Sequence, residues 1–268
     1  EGWQRIQSAV RAPPRRGAIE PAQLTLSDVS AEIGEVRILD HLSLKITGPG
    51  IFCIIGPNGA GKTSTFNLLT GELASRSGGV LLDGAEITGL APHRIIARGV
   101  SRKFQIPTIF ADLTVAENLR IALWSCRTTR LDLLKPRLKR WTSPMLDELV
   151  RRYPFLATGR RHAAELSHGQ RQVLELAMAL LTEPRLLLLD EPCAGLSPEE
   201  TASVIDLIRW AGRKLQIAIV VIEHDMTLVK ELAETIYVLH NGALLAQGDI
   251  DAIRANADVQ AVYVGGEK

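Results

Sequence analysis

Gly56, Gly61, Lys62 and Thr63, in the stretch "CIIGPNGAGKTSTF", satisfy the spacing GxxxxGK[ST], with an apolar run before them and a helical pattern after. Glycines let successive backbone N–H groups converge on phosphate oxygens with no Cβ in the way, and a following helix N-terminus adds partial positive charge. The loop Gly56, Pro57, Asn58, Gly59, Ala60, Gly61 is therefore read as a phosphate cradle. Lys62 is expected to reach the β and γ phosphates, Thr63 to ligate Mg²⁺ through its hydroxyl, and Ser64 to contact the phosphate chain further back. By itself the loop specifies a nucleoside triphosphate and nothing about its use.

A second group of chemistry-bearing residues closes the run "LLLLDE". A strand of four leucines would deliver Asp190 to the carboxyl edge of a sheet, where ligands bind in open α/β folds, with Glu191 directly behind it. Asp190 is expected to hold Mg²⁺, directly or through water, and Glu191 to polarise an attacking water.

These residues must be positioned by strands. "LTLSDV" and "LSLKI" alternate, "IFCII" is continuously apolar, and "GGVLLDG" ends in an Asp-Gly turn. A helical stretch is expected from about Leu113 to Leu181, with Pro136, Pro144 and Pro154 each ending or bending a helix. Then come "RLLLLD", a helix opening near Ser197-Pro198-Glu199, "IAIVVIE", and a helix after Asp225. Continuously apolar strands alternating with helices argue for a parallel sheet. "IYVLHNGALLAQG" reads as a hairpin on an Asn241-Gly242 type I′ turn.

Composition bounds the alternatives. The 268 residues, 46% hydrophobic and 23% charged, suit one large domain with two lobes, and no apolar run approaches the ~20 residues of a membrane span. A net charge of +1 gives no argument for a nucleic-acid partner. Basic residues do cluster between Arg127 and Arg161, which reads as a solvated helical face, with a docking surface as the alternative. Three scattered cysteines, Cys53, Cys126 and Cys193, lack metal-ligand spacing and suit a reducing compartment. Residues 1–22 read as a basic tail or linker. With Glu1 in place of Met, the chain reads as a fragment or a module of a longer polypeptide, such as a permease fusion.

Between the phosphate loop and "LLLLDE" lies "LSHGQ", Leu166 to Gln170, and here the sequence resembles the ATP-binding subunits of ABC transporters. The resemblance covers roughly residues 22–266. It implies an α/β P-loop NTPase fold: a RecA-like lobe with a mainly parallel sheet and an antiparallel β part, and an inserted α-helical subdomain at about 106–165 of a domain spanning 23–266. It makes Ser167, Gly169 and Gln170 the signature loop, presented to ATP held by a second subunit. It makes Gln105 a sensor of Mg²⁺ and of the membrane partner, His224 the switch histidine at the γ-phosphate, and "AGLSPEE" the loop passing between subunits, with Ser197 where many relatives have Asp. Ile33 falls where the family usually stacks an aromatic residue on adenine.

Within the family, "GVSRKFQIPTIFADLTVAENL", "LSHGQRQVLELAMALL", "IEHDM" and "VQAVYVGG" look most like the ATPases of importers for branched-chain amino acids, urea and short amides. The resemblance then implies ATP and Mg²⁺ as cofactors, a second ATPase subunit (identical or not), transmembrane permease subunits, indirectly a substrate-binding protein, and a peripheral place on the cytoplasmic membrane face. Alternatives are an exporter ATPase of lipid or lipopolysaccharide type, which shares the hydrolytic motifs, and a soluble ATPase unconnected with transport. A nucleotide-gated module without turnover is disfavoured by Glu191 and His224.

Overall fold

The computed structural model describes residues 22–103, 109–125, 143–158 and 160–264. Described residues within 19–105, 185–194 and 205–268 form one compact unit, and those within 106–184 and 195–204 form another.

The first unit opens with β1 (Gln23–Ile33) and β2 (Val36–Thr47), an antiparallel hairpin. Along β2, Leu42, Leu44 and Ile46 are buried while His41, Ser43, Lys45 and Thr47 face out, the period of two that a half-buried strand requires. Fully buried β3 (Gly50–Ile55) leads into α1 (Lys62–Thr70). Then β4 (Ser77–Leu82) turns at Asp83-Gly84, both at positive φ, into the two-residue β5 (Ala85–Glu86). Helix α2 (Pro92–Ala97) and strand β6 (Val100–Lys103) follow.

The second unit holds α3 (Val115–Ser125), α4 (Pro144–Arg152) and α5 (His168–Leu181), with 3-10 turns at Pro154–Ala157 and Ala163–Glu165. Helix α3 packs on α5. Fully buried Asn118 fastens the segment before α3: its amide donates to the Phe110 and Thr114 carbonyls and its Oδ1 accepts from the Phe110 N–H. Two of the expected breakers do the opposite of breaking. Pro144 and Pro154 each open a helix, at the first-turn position where the missing N–H is unneeded and the fixed φ fits. Pro136 lies outside the described residues.

The chain then supplies β7 (Leu186–Asp190), α6 (Pro198–Leu215), β8 (Ala218–Ile222), α7 (Met226–Leu232), β9 (Thr235–His240), β10 (Ala243–Gly248), α8 (Ile250–Ala255) and α9 (Ala257–Val264). Two sheets result, a four-stranded antiparallel one in the order β2-β1-β4-β5 and a six-stranded one in the order β10-β9-β3-β8-β7-β6. In the latter, five strands run parallel and only β10 is antiparallel, joined to β9 by Asn241-Gly242 with both residues at positive φ. Every residue of β3, β7 and β8 is buried, which explains why a run of leucines, good helix formers, settles as strand: the centre of a sheet overrides local propensity. The α/β class with mixed parallel and antiparallel sheets is as the sequence indicates.

Candidate functional site

At the carboxyl end of β3 the backbone turns through Gly56, Gly59 and Gly61, at φ 151, 80 and 98. A Cβ at Gly56 would lie 2.2 Å from the Leu239 carbonyl oxygen, and one at Gly61 would lie 2.9 Å from a Leu39 methyl. Those two glycines are required by packing as well as by conformation, whereas a Cβ at Gly59 would meet nothing within 4 Å among the described residues. The loop is braced from the β9–β10 turn, where the Gly242 N–H donates to the Ala60 carbonyl at 3.1 Å.

Helix α1 begins at Lys62 with Gly61 as its N-cap, no side-chain cap and no acidic residue in the first turn. Its leading N–H groups thus face a place suited to an anion. The Lys62 ammonium donates to the Gly56 and Pro57 carbonyls at 2.7 and 2.9 Å, folding over the loop. Burial lowers its pKa, and the nearby Glu191 and Asp190 carboxylates oppose that shift. Thr63 is exposed and Ser64 half-buried.

Asp190 ends β7 at 3% exposure, and Glu191 follows in the left-handed region at φ 44. A non-glycine residue held there costs on the order of 1–3 kcal/mol, a strain that collects at functional sites. The Glu191 N–H donates to the Ile222 carbonyl at 3.0 Å, tying it to the head of β8. Two residues beyond that strand, His224 Nδ1 stands 3.3 Å from Glu191 Oε1. The sheet therefore brings Lys62, Asp190, Glu191 and His224 together. Ile33 ends β1, 56% exposed.

Three further neighbours have no motif of their own in the sequence. Arg102 on β6, its side chain 5% exposed, bonds Asp190 Oδ2 at 3.2 Å and Asn67 Oδ1 of α1 at 2.7 Å, and lies over the Phe66 ring. Glu223, 2% exposed, precedes His224, and burial pushes its carboxyl up to about 7, with the Glu191 charge adding to the shift. Tyr263 on α9 hydrogen-bonds the Gly56 backbone, while burial raises its phenol. Arg102 and Glu223 stand within "SRKFQ" and "IEHDM", but only the fold shows what they touch.

In the other unit, Ser167 caps α5. Its hydroxyl accepts from the Gln170 N–H and the Gln170 side chain accepts from the Ser167 N–H, each at 3.2 Å, a reciprocal capping box. Gly169 is buried between them. Gln105 lies outside the described residues.

Comparison with known proteins supplies the family. The family model for "ABC transporter" matches residues 39–194, more than half the chain. The chain belongs to the ABC transporter family. It is 36% identical to the high-affinity branched-chain amino acid transport ATP-binding protein BraF of Pseudomonas aeruginosa and 37% identical to LivG of Escherichia coli, over 90% of this chain and 97% of each relative. A nucleotide-free ATP-binding cassette of an ABC transporter superimposes with TM-score 0.76 at 26% identity, covering 90% of this chain and 98% of that one. Another, solved in its ADP conformation, gives TM-score 0.78 at 28% identity over 91% and 99%. This ABC chain is thus an ATP-binding ATPase, and among the described residues no helix is long and apolar enough to cross a membrane.

Proposed function

We propose that this ATPase is the motor subunit of an importer for branched-chain amino acids, urea or short amides, peripheral on the cytoplasmic membrane face. Its helical part works against permease subunits that receive cargo from a binding protein. The observation that carries the hydrolytic part is the 3.3 Å approach of His224 to Glu191, beside Lys62 and the glycine loop.

In this reading the amides of residues 56–61 and the Lys62 ammonium bind the ATP phosphates, with Ser64 behind them. Thr63 and Asp190 hold Mg²⁺, Gln105 completing its surroundings; a hydroxyl and a carboxylate are the hard oxygen donors Mg²⁺ takes beside phosphate and water. The ion supplies charge neutralisation to the leaving phosphates. Glu191 orients and deprotonates the attacking water, and His224 contacts the γ-phosphate while fixing the Glu191 carboxylate. Ser167, Gly169 and Gln170 face the γ-phosphate bound by a second ATPase subunit, so ATP favours a closed pair and hydrolysis releases it.

The transport part is supported by the identity to BraF and LivG. It is tested by reconstituting the chain with the permease that co-purifies with it and following ATP-dependent vesicle uptake of labelled leucine, urea and acetamide. Uptake of one of them is expected. Hydrolysis that drives no uptake, or drives efflux, contradicts the importer reading.

A further inference from the structure

The carboxylate of Glu200, in the first turn of α6, has more than one task. Its Oε2 accepts from the Ser197 N–H at 3.2 Å, and the Glu200 N–H donates to Ser197 Oγ at 3.3 Å, the capping box that starts its own helix. Its Oε1 reaches the start of α5, taking the Ser167 hydroxyl at 2.9 Å and the Gly169 N–H at 2.8 Å. Gly169 is shaped for this visitor: a Cβ there would lie 2.4 Å from Glu200 Cγ. The three donated hydrogen bonds hold the Glu200 carboxyl below the ordinary carboxylate range, so it is anionic near neutral pH.

An anion therefore already sits on two donors of the signature loop. We infer that Glu200 is an internal competitor for the terminal phosphate, an autoinhibitory contact that must let go of Ser167 and Gly169 before this loop can grip the nucleotide of a second subunit. The inference rests on the composite-site reading above, in which those same donors meet the γ-phosphate. Two anions cannot share them: a carboxylate left in place would repel the phosphate and keep its hydrogen bonds. Release costs two charge-assisted bonds, which raises the ATP concentration needed for closure and restrains futile hydrolysis by unpartnered chains.

Glu200→Gln removes the charge and keeps an acceptor oxygen for the helix cap. In a Glu191→Gln background, the ATP·Mg²⁺ concentration that gives half-maximal dimer by light scattering should fall about tenfold when Glu200→Gln is added. An unchanged or higher midpoint overturns the latch and leaves the composite site standing. Failure of Glu191→Gln to dimerise at saturating ATP, both with itself and with any ATPase that co-purifies with its permease, overturns both. A measurement that leaves Glu200 in place covers the case of a Glu200→Gln chain that does not fold. In the ¹³C-glutamate-labelled Glu191→Gln protein, the Glu200 carboxyl should titrate below the usual glutamate range without nucleotide and move up when ATP closes the dimer. A midpoint that ATP leaves unmoved overturns the inference.

Discussion

Replacing Glu223 by Gln should stabilise the protein, and by an amount that grows with pH. Glu223, the residue after β8, is 2% exposed, and among the described residues its Oε1 has no hydrogen-bond partner. Its carboxyl also accepts the Cys193 and His224 backbone N–H groups, but these fall short of offsetting burial, and the pKa rises from 4.5 to about 7. The folded state thus holds a proton that the unfolded chain releases, so stability is fully present below pH 4.5 and is lost as pH rises through 7. Each pH unit between those two values removes about 1.4 kcal/mol, about 3 kcal/mol in all. Roughly 1.4 kcal/mol of it has gone by pH 5.5, leaving about 2 kcal/mol between pH 5.5 and 8.5. Urea unfolding of wild type and Glu223→Gln at those two pH values reads the difference directly. The gap between the two proteins should widen by about 2 kcal/mol at the higher pH. A gap that stays constant, or narrows, would refute the assignment of a buried, proton-retaining carboxyl beside Glu191 and His224.

Other expectations follow from individual contacts. Glu191→Gln should retain ATP binding while nearly abolishing turnover in a phosphate-release assay; unchanged hydrolysis would remove Glu191 from the role of base. Arg102→Ala removes the buried guanidinium that pairs with Asp190 and should lower stability by about 3–5 kcal/mol, with a raised Mg²⁺ requirement for hydrolysis. Stability within about 1 kcal/mol of wild type would count against that pairing. Ile33→Tyr should tighten ATP binding by about 1–3 kcal/mol if the base lies at the β1–β2 turn; an equal dissociation constant by fluorescence titration would put the base elsewhere.

What can be read from the sequence is what depends on short-range spacing. The glycine loop and the Ser167–Gln170 cap are complete within a few residues, so their chemistry is legible without a fold. Asp190 and Glu191 become legible because a buried parallel strand has a plain apolar signature. Arg102 stays hidden because its partners, Asn67 and Asp190, lie 35 and 88 residues away and meet only when β6 joins β7. Ser197-Pro198-Glu199-Glu200 reads locally as a helix start, which it is. The second oxygen of Glu200 bonds Ser167, 33 residues back, and no local pattern announces that. Strand β1 runs beyond the alternation of "LTLSDV" because Asp28, at φ 53, sits in an irregular step between Leu26 and Val29, after which the inward face changes parity. The prolines mislead for a physical reason: Pro ends a helix when it lies inside one, and Pro144 and Pro154 lie at the first turn.

Everything proposed for turnover depends on ATP being gripped between the glycine loop of one subunit and the Ser167–Gln170 loop of another. The most direct measurement is the mass in solution, by light scattering, of the Glu191→Gln chain with and without ATP and Mg²⁺. A monomer without nucleotide and a dimer with it are expected. A chain that binds ATP and remains a monomer at saturation would contradict a grip shared between two copies of this chain.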